Sequence, residues 1–256
     1  MNTNKILSLR DRVDYRLDKD KPVICMVDGR AFSKLIKNKF ELPFSNTFIQ
    51  YMNQSALYTC KYIPGCLGAY VQSDEISFLI DNRQKKGDVV SEPYFRYRLC
   101  KMNSIIASTV TAKFNQLIFC NSKNPEKEEL VQFDCKCWNV NDENDMLEWI
   151  SFRQIDCIRN SKQQAAQTYL SYKKLLNLTA DGQIKLLEKE KGICWKNYKE
   201  GEKYGRFIWK EDKILHNSEF NVDYMRSVWE VHDGWKLDTE EGKDKFLKLW
   251  KNVKNN

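Results

Sequence analysis

The chain is 256 residues long, with 42% hydrophobic and 30% charged residues and a formal net charge of +7. This is enough apolar material for a packed core, which excludes a disordered chain, and enough length for one large domain or a core domain with an appended region. No apolar run reaches membrane-span length and the opening Met1-Asn2-Thr3-Asn4-Lys5-Ile6-Leu7 lacks the apolar segment of a secretory signal, so a cytoplasmic protein with no membrane partner is expected.

Pro22 to Val27 reads as a buried strand, ended by Asp28-Gly29-Arg30. Asn46 to Tyr62 reads as a helix. Its apolar positions Phe48, Met52, Ala56 and Cys60 recur every four residues, and Ser45 or Asn46 can cap it. Pro64-Gly65 breaks the chain. Leu67 to Gln72 and Glu75 to Ile80 read as two strands joined through Ser73-Asp74 at hairpin spacing. A polar loop follows over Asp81-Asn82 and Lys85-Lys86-Gly87-Asp88. Pro93 to about Phe114 reads as a second helix with Leu99, Met102, Ile106 and Val110 as its apolar stripe. Gln132 to Trp138 reads as a fourth strand.

The order strand, helix, strand, strand, helix, strand is that of the ferredoxin-like split unit on which polymerase palms are built, an α+β fold. Beyond it, Asp142 to Leu176 reads as a long helical run marked by Trp149, Phe152, Ile155 and Cys157, followed by Asn177 to Lys191. Tyr204 to Leu215 reads as a C-terminal hairpin turning at Glu211-Asp212. A basic tail from Ser227 carries Trp229, Trp235 and Trp250. The expected division is a palm-like catalytic domain over 1–140 and a helical and C-terminal region over 141–256 packed on it.

Chemistry is restricted by what the chain lacks. It has only two histidines, His216 and His232, which argues against His-based triads and metalloprotease sites. Its nine cysteines are read as reduced thiols, several of them core fillers such as Cys25 and Cys60. The basic balance suits a polyanion such as RNA, and equally suits a Lys- and Asn-rich composition with no such partner.

Two acidic strings are more informative. In the ferredoxin-like order the first and third strands are antiparallel neighbours, so Asp28 is expected beside Asp74 and Glu75. Carboxylates so close repel each other unless a cation bridges them, and Mg²⁺ also binds substrate phosphates. By spacing alone the strings are equally readable as ordinary turns. Arg98 and Lys101 lie one turn apart on the second helix and, with Arg30, could hold a triphosphate; the alternative is a solvated helix face.

Five motifs in order resemble the tRNA-histidine guanylyltransferase family. They are Asp28-Gly29-Arg30-Ala31-Phe32, Gln72-Ser73-Asp74-Glu75-Ile76-Ser77, Arg98-Leu99-Cys100-Lys101 with Ser104 and Ser108, Phe133-Asp134-Cys135-Lys136, and Trp149-Ile150-Ser151-Phe152-Arg153-Gln154-Ile155-Asp156-Cys157. The resemblance spans roughly residues 5 to 215. It implies 3′-to-5′ nucleotide addition on a palm-like fold with two Mg²⁺ ions and ATP or GTP as substrates. It also implies metal binding by Asp28, Asp74 and the Gly29 carbonyl, with Glu75 supporting the site. Arg30, Ala31, Phe32 and Ser33 would line a triphosphate loop, and Arg98, Lys101 and Ser104 would lie toward phosphates.

Two departures refine the resemblance. Ile158-Arg159-Asn160-Ser161-Lys162-Gln163-Gln164 stands where guanylyltransferases proper have His-Ile-Asn-Asn-Leu-Tyr-Asn, and resembles the guanylyltransferase-like branch associated with templated repair of 5′-truncated tRNA. Leu42-Pro43-Phe44-Ser45 replaces a Lys-Pro-x-Asp string linked with activating the RNA 5′ end. The resulting expectation is templated addition of NTPs to the 5′ end of tRNA or tRNA-like RNA. The alternatives are addition of G at position −1 of tRNA-histidine and a non-catalytic RNA-binding protein. Arg159, Asn160 and Lys162 are candidate RNA contacts or an ordinary polar helix face, and a homotetramer is expected by resemblance.

Overall fold

The structure, a computed structural model, describes residue 8 and residues 15–255 apart from 84, 87, 88 and 91. The reading of Met1 to Leu7, and Gly87 and Asp88 of the polar loop, lie outside the described residues.

Strand β1 is Val23–Gly29, followed by helices α1, Phe32–Lys39, and α2, Asn46–Tyr62. Strands β2, Cys66–Gln72, and β3, Glu75–Ile80, form the expected hairpin, and β4, Lys85–Lys86, pairs with β5, Val89–Val90. Helix α3 is Leu99–Asn121 and β6 is Phe133–Asn139. Then come α4, Glu143–Tyr169; α5, Tyr172–Leu175; α6, Ala180–Lys191; and α7, Glu200–Tyr204. Strands β7, Arg206–Asn217, and β8, Val222–Asp233, precede α8, Glu240–Asn255.

One antiparallel sheet runs in the order β6-β1-β3-β2-β7-β8. Side chains alternate between its faces. On one face Val23, Cys25 and Val27 meet Ile76, Phe78, Ile80 and the buried stripes of α2 and α3, including Met52, Met102, Ile106 and Phe114. On the other, Ile24, Tyr70 and Leu79 pack on Met146, Leu147 and Ile150 of α4 and on Phe246 of α8. Burial of β2 and β3 throughout, and of β1 over Val23–Cys25 and Val27, explains why these strands read as apolar runs. No helix among the described residues is long and apolar enough to cross a membrane.

The α2 bounds match those expected, and Ser45 is the cap: its Oγ accepts from the Phe48 amide at 3.3 Å. Helix α1 was not anticipated. It is short, and only Phe32 of its side chains is fully buried. The second helix begins later and ends later than its pattern suggests. Pro93 opens a 3₁₀ turn over Tyr94–Tyr97, and Phe95, Arg96 and Tyr97 have φ of 51°, 52° and 53°, so α geometry resumes only at Leu99. Asp142 caps α4, accepting from the Asn144 and Asp145 amides at 2.8 and 3.1 Å.

Two apolar markers of that helix face outward: Phe152 is 54% exposed and Ile155 65%. Cys157 is buried as expected, but Gln154 and Ser161 are buried with it, so the core stripe is partly polar and only partly visible to hydropathy. The proposed turn at Glu211-Asp212 is a correction. Those residues lie inside β7, paired with Val228 and Ser227, and the chain reverses over Ser218–Asn221. Charged residues inside β7 are tolerated because both faces of this outer arm are exposed.

Candidate active site at the ends of β1 and β3

Register places the acidic strings side by side. Asp28 is the cross-strand partner of Glu75 on one side and of Asp134 on the other. Directly opposed residues share a face, so three carboxylates line up across β3, β1 and β6, with Asp74 in the turn beside them.

Glu75 is buried, and α4 neutralises it. Arg153 Nε donates to Oε1 at 2.8 Å and Nη2 to Oε2 at 2.5 Å, while Gln72 Nε2 donates to Oε1 at 3.3 Å. Arg153 Nη1 also donates to Asp156 at 2.7 Å, and Asp156 accepts from Arg159 at 2.7 Å. This fork ties the sheet to α4 and leaves Glu75 little capacity to face a ligand.

Asp28 and Asp74 lack such a partner. Loss of hydration, then the charge of Asp134, pushes the Asp28 carboxyl above the usual range, and Arg153 pulls it partly back. Burial pushes Asp74 up to about 6 against the hydrogen bonding of Ser73, with Asp28 and Glu75 adding to the rise. Negative charge at this strand end is therefore incompletely compensated.

Among the described residues no group of three or more His, Cys, Asp or Glu is arranged to hold a metal. An incomplete set of hard oxygen donors fits Mg²⁺, which keeps several waters and takes one or two carboxylates together with substrate phosphates. Asp28 and Asp74 with the Gly29 carbonyl are the groups that could supply it.

The loop after β1 is shaped from below. An ideal Cβ at Gly29 would stand 2.4 Å from Phe32 Cδ2, and the Phe32 ring is locked against Phe48, Phe114 and Phe133. Phe32 is thus a core residue that sets the loop's shape rather than a side chain open to a nucleotide. Ala31 adopts the left-handed conformation, φ 60°, and starts α1 without a side-chain cap. Uncapped N–H groups at a helix start suit a phosphate. Arg30 donates to Gln132 through both its amide, at 2.9 Å, and Nη1, at 3.1 Å. Ser33 and Lys37 reach the wall of a cleft of about 570 Å³ that also includes Asp74, Asn160 and Gln164.

The structure does not bring Arg98, Lys101 and Ser104 to this pair. Thr111 of α3 is the residue beside Phe133, accepting from its amide at 3.2 Å, and Phe133 faces Gly29. Arg98 lies thirteen residues earlier, about 20 Å along a helix rising 1.5 Å per residue. Lys101 and Ser104 share its exposed face near the far end of β3, where Tyr97 Oη donates to Asn82 at 3.1 Å. Helical spacing showed that these residues point the same way, but could not show which end of the sheet they occupy.

Arg159, Asn160 and Lys162 diverge. Asn160 lines the cleft, Arg159 pairs with Asp156, and Lys162 turns away to Asp181 at 2.6 Å. Residues not singled out as site residues include Arg153, Asp134 and Lys136, whose charge acts on Asp28. Strand alternation could have found Asp134 and Lys136, since they share the face of Asp28.

A sequence model of the Thg1 family, tRNAHis guanylyltransferase, matches residues 7–141. The chain belongs to the tRNAHis guanylyltransferase family. It is 29% identical over 207 residues to a tRNA(His) guanylyltransferase of Debaryomyces hansenii, covering 75% of this chain and 74% of the relative. A probable tRNA(His) guanylyltransferase of Dictyostelium discoideum is 29% identical over 135 residues, 52% of this chain and 50% of the relative, so the match spans about half of that protein. A bacterial tRNA(His) guanylyltransferase (Thg1)-like protein in complex with ATP superposes with a TM-score of 0.81 at 27% identity, covering 96% of this chain and 98% of the other. The Saccharomyces cerevisiae tRNA(His) guanylyltransferase shares the fold, with a TM-score of 0.65 at 22% identity over 79% of this chain and 91% of that one. This member of the family is thus a nucleotidyltransferase by descent, with the mixed α/β fold and antiparallel sheet of those structures.

Proposed function

We propose that this chain extends the 5′ end of a tRNA by 3′-to-5′ nucleotidyl transfer, on a palm-like unit formed by residues 1–140 with residues 141–256 packed against it. The observation that carries this reading is the under-compensated pair Asp28 and Asp74, of which Asp74 lines a polar cleft, beside the Glu75–Arg153 fork. The 3′-hydroxyl of an incoming NTP attacks the α-phosphate of an RNA 5′-triphosphate, the P–O bond to pyrophosphate breaks, and one phosphodiester forms. Bound Mg²⁺ ions would supply Lewis-acid stabilisation of the phosphates. The chain's own groups orient the partners: the start of α1 and Ser33 toward phosphates, Lys37 toward their charge, Asn160 and Gln164 along the opposite wall. Glu75 acts through Arg153 as a positioning group.

Addition of G to tRNA-histidine is the reading favoured by the names of the curated relatives. Templated repair of a recessed 5′ end is the second reading. It is favoured by the Ile158 to Gln164 string and by superposition along nearly the whole chain on a Thg1-like protein. A homotetramer is part of either reading.

The test incubates the protein with Mg²⁺, NTPs and three RNAs: tRNA-histidine lacking G at −1, and a tRNA lacking its first nucleotide with either a 5′-triphosphate or a 5′-monophosphate. Extension of the first alone supports guanylyl addition, and extension of the truncated RNAs by the complementary nucleotide supports repair. The monophosphate lane reads whether activation persists with Leu42. Extension of none, or full turnover by Asp28→Ala, refutes the reading.

A further inference from the structure

Helix α1 is a ridge between two clefts. Ser33, Ile36 and Lys37 face the cleft at Asp74. Lys34, Leu35 and Asn38 lie on the opposite face of the helix and wall a second cleft of about 310 Å³ together with Arg30, Leu130 and Gln132. The width of one helix, about 10 Å, separates the two.

Three kinds of group line the second cleft. The first is cationic. Arg30 is held on this side of α1 by the bond from its Nη1 to Gln132 Oε1 at 3.1 Å, and Lys34 is exposed with no ion pair among the described residues. Lys39 is neutralised by Glu128, and Glu129 is the one carboxylate among the described lining residues. The second kind is amide. The Asn38 side chain makes no hydrogen bond among the described residues, and Gln132, whose Oε1 takes Arg30, has its Nε2 left to donate. The third is apolar: Leu130 is 71% exposed.

Cations suit phosphates, side-chain amides suit base edges, and an exposed apolar surface suits the face of a ring. Together they fit an unpaired nucleotide. A simple anion would leave the amides and Leu130 unused, and a paired strand would keep its base edges from the amides. The reaction proposed above supplies an unpaired strand. An RNA whose 5′ end is to be extended, by G or by repair, has an opposite strand that runs past that end with nothing to pair with. A few nucleotides of that strand suffice to cross α1 from the site.

We infer that the second cleft, with Arg30, Lys34, Asn38, Leu130 and Gln132, holds the unpaired 3′ segment of the RNA strand opposite the 5′ end under extension. The inference rests on the RNA-extending reading above and adds a second RNA site to it.

The test measures binding of two tRNAs to the wild-type protein with Mg²⁺, by fluorescence anisotropy. One has its complete 3′ end and the other is trimmed flush with its 5′ end. The complete RNA should bind about ten-fold more tightly. Lys34→Ala and Leu130→Ser alter exposed side chains outside the cleft at Asp74. Each should weaken the complete RNA several-fold and leave the trimmed RNA and GTP binding as in wild type. Lys34→Ala should also flatten the slope of log affinity against log salt by about 0.7 for the complete RNA alone. Affinities for the two RNAs within two-fold of each other overturn the inference. So do variants that bind the complete RNA as wild type does, and variants that weaken both RNAs alike, which would make Lys34 a general backbone contact. In each of those cases bound RNA leaves the RNA-extending reading standing, whereas a wild-type protein that binds neither RNA overturns both.

Discussion

Replacing Asp74 with Asn should stabilise the metal-free protein while abolishing nucleotidyl transfer. Burial and neighbouring carboxylates raise Asp74 from the ordinary 3.8 to about 6. The folded state therefore holds the proton more tightly than the unfolded chain. The stability linked to that proton is fully present below 3.8 and is lost as pH rises through about 6. At 1.36 kcal/mol for each pKa unit the loss at pH 8 is at most about 3 kcal/mol, and partial access to solvent brings the expected gain on removing the charge to about 1–3 kcal/mol. In a chain of this length that is a rise in Tm of about 3–8 °C. The assay is thermal melting in EDTA at pH 8 and pH 5. The variant should melt higher at pH 8, and the gap should narrow at pH 5, where wild-type Asp74 carries its proton. Mg²⁺ should raise the wild-type Tm and leave the variant unmoved. A variant that melts at or below wild type at pH 8, or a gap independent of pH, would refute the view that Asp74 is held charged against its surroundings for function.

Other consequences of the geometry are also measurable. Arg153→Met leaves Glu75 buried with only Gln72 as a hydrogen-bond donor, and should cost about 3–5 kcal/mol in urea unfolding; a cost under about 1 kcal/mol would mean that water replaces the fork. Gly29→Ala drives a methyl into the Phe32 ring and should cost about 1–3 kcal/mol by the same assay, with part recovered in a Phe32→Leu background. Asp142→Ala removes the acceptor for two amide donors at the start of α4 and should lower stability by about 1 kcal/mol; no change would mean that Asn141 or solvent caps the helix instead.

The parts of this fold legible in the sequence are those whose side chains speak for one local environment. Strands β2 and β3 and most of β1 are buried and read as apolar runs, and α2 has both a four-residue stripe and a cap. The pairing of Asp28 with Glu75 followed from topology, because antiparallel neighbours bring the end of one strand to the start of the next. What stayed hidden depends on the third dimension. Phe152 and Ile155 look like core in one dimension yet face outward, because α4 buries Gln154, Cys157 and Ser161 against neighbours distant in sequence. Arg98 and Lys101 share a helix face, but the direction in which α3 crosses the sheet decides which end they reach.

The register of β1 also sets which changes in length the protein can absorb. Val27 faces the aromatic core opposite Ile76, and Asp28 faces the other way opposite Glu75. Loss or gain of one residue between Val23 and Val27 would exchange those two faces, sending the carboxylate among Phe32, Phe114 and Phe133 and an aliphatic side chain to the cleft. The connection between β3 and α3 lies at the opposite end of the sheet and sets no phase for these carboxylates. Length variation within the family should therefore gather between Arg83 and Glu92, after the buried and hydrogen-bonded Asp81 and Asn82, and spare the few positions that hold Asp28 in phase with Asp74.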